Sequence, residues 1–67
     1  MANVELLKEK IEESGMTITF IARKCGMSRE TLYNRMEKPD FKASEIISLT
    51  KVLGLSKQDR DKIFFNL

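Results

Sequence analysis

The stretch TITFIARKCGMSRETLYNRMEK, residues 17–38, is the most informative part of this 67-residue chain about its fold. From Ile18, apolar residues recur at intervals of three and four, which is typical of one face of a helix. The turn residues Gly-Met-Ser then precede a second, more polar helical pattern. The β-branched run TITFI could also form a strand, but the chain offers no second strand to pair with it. We therefore predict helices over residues 18–25 and 29–37.

Each special position in this stretch has a physical reason. Ala22 is small, so the next helix can cross close to its backbone. Gly26 can adopt a positive φ in the turn, where a side chain would cost energy. Ser28 can cap the second helix and leave its first residues facing outward. The side chains that we expect to point inward and hold the two helices are Ile21, Cys25, Met27 and Leu32.

Cap and stop residues divide the rest of the chain into three more helices. Asn3 and Gly15 suit the start and end of the first helix. Pro39 breaks the chain after the quoted stretch, and Gly54 stops the helix that follows. Ser56, with an acidic residue three positions later, resembles a capping box. The five predicted helices are residues 4–14, 18–25, 29–37, 43–53 and 57–66. With no convincing strand, they predict an all-α bundle forming one domain over residues 1–67.

Apolar positions outside the quoted stretch complete the predicted core. They are Val4, Leu7 and Ile11 in the first helix, Ile46, Ile47, Leu49 and Leu53 in the fourth, and Ile63, Phe64 and Leu67 in the last. The methionines at 16, 27 and 36 are interpreted as core filler. Cys25 is interpreted as a core residue, because nothing nearby would activate a thiolate.

Composition argues against several classes of protein. Cys25 is the only cysteine, which excludes an internal disulfide and favours a reducing, cytoplasmic setting. The chain has no histidine, the commonest metal ligand and general base. No apolar run approaches the roughly 20 residues that span a bilayer. We therefore expect no enzyme, no catalytic residues, no metal, no cofactor, no small-molecule ligand and no membrane.

Charge is distributed unevenly along the chain, whose net charge is only +2. Residues 23–42 carry six basic and three acidic side chains, a balance of +3, whereas residues 1–22 carry two and four, a balance of −2. The basic segment contains the polar helix and indicates an anionic partner. The alternative is a solvated surface that happens to be basic.

The quoted stretch resembles a known family at five positions: Ala22, Gly26, an apolar residue at 27, Ser28 and Leu32. They are similar to the helix-turn-helix of phage-repressor and Cro-like, xenobiotic-response-element type DNA-binding domains. The following run SEIISLTKVLGLSKQDRDKIFF looks particularly like small prophage regulators of Gram-positive bacteria. The resemblance covers nearly the whole chain. It implies a lambda-repressor-like five-helix bundle that binds double-stranded DNA and regulates transcription.

Three positions depart from the family pattern. Ile18 stands where the family often has a glutamine that helps hold the DNA backbone. Arg35 stands where an apolar residue is usual, and Met36 takes its place. Lys42 stands where a Ser or Thr cap would begin the fourth helix. The change at Arg35 suggests a different pitch or end for the recognition helix.

The resemblance implies that the outer face of helix 29–37 enters the major groove, which is about 12 Å wide. We expect Arg29 to bind guanine and Asn34 to bind adenine through paired hydrogen bonds. Glu30 could accept from a cytosine amino group. Tyr33 could touch a thymine methyl group or donate to a phosphate.

Other residues are expected to set the register on the phosphate backbone, together with amides at helix N-termini. They are Thr17, Thr19, Ser28, Arg35, Lys38 and Lys42. Three alternatives stay open: Glu30 could complement the helix dipole, Tyr33 could pack over the loop near Phe41, and Arg35 could pair with a surface carboxylate. Arg23 and Lys24 are expected to be solvated.

Members of the family that this chain resembles usually dimerise, so that two recognition helices lie about 34 Å apart on a palindromic DNA site. The last helix carries more apolar bulk than one inner face needs. If Ile63 and Phe64 close the monomer core, Phe65 and Leu67 are the expected homodimer contacts. A second interpretation is an interaction module, such as an antitoxin or adaptor, that uses the same fold to hold a protein partner.

Overall fold

Five helices follow one another along residues 2–66. The structure, a computed structural model, describes residues 2–66. Its helices are α1 (Val4–Ser14), α2 (Ile18–Lys24), α3 (Arg29–Glu37), α4 (Ala43–Leu53) and α5 (Lys57–Arg60), which runs on into a π-helical segment (Asp61–Phe65). The described residues contain no strand, so the predicted all-α bundle of five helices is confirmed.

Four of the five helices begin at a predicted cap. The side-chain oxygens of Asn3, Thr17, Ser28 and Ser56 each accept a hydrogen bond from the backbone N–H three residues later, at 3.0–3.1 Å. Such a cap satisfies one of the backbone donors that a helix start leaves unpaired, and its loss costs about 1 kcal/mol. The β-strand interpretation of TITFI is therefore excluded.

Two helix ends differ from the prediction. α2 ends one residue early, because Cys25 already lies outside helical geometry with φ −92° and ψ 5°. The last helix is α-helical only to Arg60 and then widens to π-helical geometry, which ends before Asn66 at a positive φ of 56°. π-Helical turns are rare and follow no propensity that a sequence pattern would reveal.

The core draws on α1 to α4 and on the π-helical segment. Its buried apolar residues are Leu7, Ile11, Ile21, Ala22, Leu32, Met36, Leu49, Ile63 and Phe64. Cys25, Met16 and Met27 pack against this cluster, as predicted. Because Ile63 and Phe64 are both buried, the monomer core is closed at its C-terminal end.

One predicted core position in α4 is wrong. Ile47 is 56% exposed, whereas Glu45 is only 8% exposed. The core-facing side of α4 carries Glu45 and Leu49, one turn apart, with Val52 and Leu53 beyond them. Ile47 lies two residues from Leu49, which places it on the other side of the helix.

Long-range contacts attach both ends of the chain to the bundle. The Asn3 N–H donates to the Ile63 carbonyl, and Lys10 Nζ lies 3.2 Å from Asp59 Oδ2. The hydrogen bond to Asp59 raises the pKa of Lys10 above its ordinary value of 10.5. The rings of Phe41 and Phe64 pack edge to face, with centroids 5.2 Å apart. None of the helices described here has both the length and the apolar character to cross a membrane.

Candidate nucleic-acid interface

The turn between α2 and α3 is held by backbone hydrogen bonds. The Met27 N–H donates to the Ala22 carbonyl at 2.8 Å, and the Gly26 N–H donates to the Arg23 carbonyl at 3.1 Å. Gly26 has a φ of +72°, the left-handed conformation predicted for it. Ala22 is 1% exposed. The turn therefore holds α3 in a defined place beside α2.

Two buried side chains decide which face of α3 meets solvent. Leu32 is fully buried and Met36 is 7% exposed, as the helical spacing predicts. The four residues predicted to contact bases all lie on the exposed side: Arg29, Glu30, Tyr33 and Asn34. α3 thus presents these four side chains to solvent, while Leu32 and Met36 face the core. The contact of these four residues with bases stays a prediction.

Arg29 and Tyr33 are brought together on this face. The Arg29 Cζ lies 5.2 Å from the centroid of the Tyr33 ring, in a cation–π arrangement. The ring also borders a shallow depression beside Lys8 and Met36, on the side of α3 that faces α1. Phe41 packs on the Phe64 ring and lines a different depression from the one beside Tyr33.

The predicted phosphate-contacting residues fall into three groups. Thr17 and Ser28 are exposed, but their oxygens already accept capping hydrogen bonds. The Ser28 hydroxyl also shares a 2.8 Å hydrogen bond with the Thr31 hydroxyl. Thr19, Lys38 and Lys42 are exposed. The sixth residue, Arg35, is engaged within the protein.

Arg35 pairs with a carboxylate that sequence reasoning did not single out. Its Nε lies 3.0 and 3.2 Å from the two carboxylate oxygens of Glu45. Glu45 Oε1 also accepts from the Lys42 N–H at 2.8 Å. A carboxylate partner for Arg35 is one of the alternatives left open above, although Glu45 is buried and does not lie on the surface.

Glu45 supplies the second half of a capping box at the start of α4. Its carboxylate accepts from the N–H of Lys42 itself, whereas the Lys42 side chain has no acceptor to cap the N–H groups of the first turn. Burial alone would raise the pKa of Glu45, but the Lys42 N–H and the Arg35 guanidinium outweigh it and lower the pKa below 4.5. The signal available in the sequence is a Glu three residues after the cap position at Lys42, the spacing of the second half of a capping box.

A second surface lies between the first half of α4 and the C-terminal segment. Phe65 is 50% exposed and Ile47 is 56% exposed. They border an open groove of about 580 Å³ between α4 and the C-terminal segment. Phe65 is thus available for the predicted homodimer contact, while Leu67 lies outside the described residues.

Burial raises the pKa of the Cys25 thiol above 9.0, with a smaller contribution from the Glu45 carboxylate. A raised pKa keeps the thiol protonated and unreactive at neutral pH. Residues 2–66 contain no group of three or more His, Cys, Asp or Glu side chains placed to hold a metal ion.

A scan against protein-family models found no match, and searches of curated proteins and of solved structures found none either.

Proposed function

We propose that this chain is a sequence-specific double-stranded DNA-binding regulator of transcription, of the phage-repressor or Cro-like helix-turn-helix type. The observation that carries the proposal is the exposed polar face of α3, held by a capped turn and buried Leu32. A helix that reads bases needs donors and acceptors on one accessible face and a rigid attachment on the other. Arg29, Glu30, Tyr33 and Asn34 supply that face.

The charge around α3 supports a polyanionic partner. Lys38 and Lys42 are exposed at and beyond its C-terminal end. Thr17 and Ser28 lie at the starts of α2 and α3. The Thr17 hydroxyl accepts from the Phe20 N–H and keeps its own O–H as a donor. Contacts of this kind set register on the phosphate backbone, whereas base contacts set specificity.

A homodimer on a palindromic operator completes the proposal. One short helix covers only half of a typical site, and two copies related by a twofold axis read both halves. The exposed Phe65 is the proposed contact. The proposal leaves open whether bound protein represses or activates.

The second candidate is a protein-interaction module. It is favoured by the apolar groove beside Phe65 and Ile47, which would accept a protein partner as readily as a second copy. Such a module would bind DNA weakly and without dependence on salt, because it would neutralise few phosphates.

Selection of bound duplexes from a random pool tests the proposal directly. We expect a palindromic consensus, which would establish both the reading of bases and the twofold symmetry. A variant with Arg29→Ala and Asn34→Ala serves as the negative control, and Lys24→Ala, on α2, serves as the matched positive control. Failure to enrich any sequence with the unaltered chain would contradict the proposal.

Amide chemical-shift mapping with the enriched duplex locates the interface. The largest shifts are expected at residues 28–35. If these residues stay unperturbed while the C-terminal segment shifts, the interaction module is the better interpretation.

A further inference from the structure

Glu45 lies where three helices meet. Its carboxylate binds the Arg35 side chain at the end of α3 and the Lys42 N–H at the start of α4. It also acts electrostatically on Cys25 at the end of α2. A single buried acid therefore joins the C-terminal end of the proposed recognition helix to the rest of the bundle.

The ion pair is asymmetric in its exposure. The side chain of Glu45 is 9% exposed, whereas that of Arg35 is 27% exposed. The part of the pair that solvent reaches is therefore mainly cationic. A guanidinium has five N–H donors, and the described contacts with Glu45 engage only the one on Nε.

We propose that Glu45 is a positioning residue for DNA binding, which holds Arg35 by Nε so that its two amino groups bind a backbone phosphate beside α3. This inference rests on the proposed function. The planar guanidinium suits this arrangement, because its Nε–H binds Glu45 while the parallel N–H groups of its two amino nitrogens can bind a phosphate. Fixing the side chain before binding also removes part of the conformational entropy that binding would cost.

The competing explanation is that the pair only staples α3 to α4. In that case Arg35 touches no phosphate, and its removal changes stability but not the electrostatics of DNA binding. The salt dependence of binding separates the two explanations, since each neutralised phosphate contributes about 0.9 to the slope of log K against log salt.

The experiment measures affinity for the enriched duplex over a range of salt, at temperatures where every variant is folded. The variants are Arg35→Gln, Arg35→Lys, Glu45→Gln and the double change Arg35→Gln with Glu45→Gln. Lys51→Gln, which removes an exposed charge from the same helix as Glu45, is the control.

We expect Arg35→Gln to reduce the slope by about one unit, and Arg35→Lys to retain it. Glu45→Gln should retain the slope but weaken binding roughly tenfold, a usual coupling between residues in contact. In the Arg35→Gln background, Glu45→Gln should have no further effect. Lys51→Gln should leave the slope unchanged.

An unaltered slope in Arg35→Gln would overturn the phosphate contact, and additive losses in the double variant would overturn the positioning role. Both results would leave the proposed function intact if the unaltered chain still binds the duplex. Should Arg35→Gln fail to fold, the comparison of Glu45→Gln with Arg35→Lys decides, since unchanged affinity in both would refute the inference. If the unaltered chain enriches no duplex, the proposed function itself fails.

Discussion

Arg29 and Lys24 place similar charges over similar rings in two parts of the molecule. The Arg29 Cζ lies 5.2 Å from the Tyr33 ring centroid, and Lys24 Nζ lies 5.5 Å from that of Phe20. At exposed sites such pairs are worth about 0.5–1 kcal/mol, so both cations are partly ordered on the surface. Only Arg29 belongs to the polar face of α3, which makes Lys24 its matched control.

Replacement of Arg29 by alanine should reduce discrimination at one base pair by about 1–3 kcal/mol, because a bidentate contact to guanine is lost. The measurement compares the affinities for the enriched duplex and for duplexes changed at single positions. Lys24→Ala should leave the discrimination unchanged. Equal losses on all duplexes in Arg29→Ala would mean that Arg29 contacts only phosphate.

Replacement of Lys38 by alanine should weaken binding to all duplexes alike and reduce the salt slope by about one unit. Lys38 is exposed at the end of α3 and is proposed to neutralise one phosphate. Titrations at several salt concentrations give the slope. Lys62→Ala, an exposed lysine on the π-helical segment, is the control, and an unchanged slope in Lys38→Ala would remove Lys38 from the interface.

At the scale of the element, two short segments set the position of α3. The turn before it depends on Gly26 in the left-handed conformation, and the junction after it depends on the Arg35–Glu45 pair. The first is a local property of the backbone. The second joins two helices through side chains ten residues apart.

Gly26→Ala should lower the free energy of unfolding by about 1–2 kcal/mol, because an L-residue is strained at positive φ. A Cβ at Gly26 would meet no atom within 4 Å, so the loss comes from the backbone and not from a clash. Gly26→Asn should lose less, since asparagine tolerates this conformation. Urea unfolding measures both variants, and equal losses would contradict the explanation.

The protein should become less stable in acid, because the Glu45 carboxylate becomes protonated. A carboxyl with a lowered pKa in the fold stabilises it above the unfolded pKa, and this stabilisation is lost as pH falls through the folded value. We expect the Tm to decrease below pH 4.5, the ordinary value for this group, and Glu45→Gln to make that decrease shallower. Thermal unfolding followed by circular dichroism at several pH values measures it, with Glu37→Gln as the control for removing a carboxylate on the surface. Parallel curves for Glu45→Gln and the unaltered chain would exclude this role.

At the scale of the whole molecule, the buried core holds the helices together, whereas an exposed apolar groove offers a surface for association. The buried cluster holds residues from α1 to the C-terminal segment, with Leu7 and Phe64 at its two ends in sequence. The groove between α4 and the C-terminal segment leaves Ile47 and Phe65 exposed. Exposed apolar residues gathered in this way often mark an interface.

Phe65→Glu should disrupt the proposed homodimer, because it places a charge in an apolar contact. Sedimentation equilibrium should give the mass of a dimer for the unaltered chain and of a monomer for the variant. Phe20→Glu is the matched control, since Phe20 is 42% exposed but lies on α2. An equal mass before and after Phe65→Glu would exclude Phe65 from the contact.

Features that depend on neighbours within a few residues could be predicted from the amino-acid sequence alone. Caps at Asn3, Thr17, Ser28 and Ser56 bond to the backbone three residues away, so their positions predict helix starts directly. Spacing within α3 likewise predicted that Leu32 is buried, and with it the polar face of the proposed interface.

Features that depend on how the helices pack could be known only from the fold. The orientation of α4 against the core buries Glu45 and exposes Ile47, although the hydrophobicity of the two side chains favours the reverse. The sequence likewise did not predict the partner of Arg35 or the widening of the last helix. Each depends on contacts between helices distant in sequence, and the geometry of those contacts is set by the packing of the whole core.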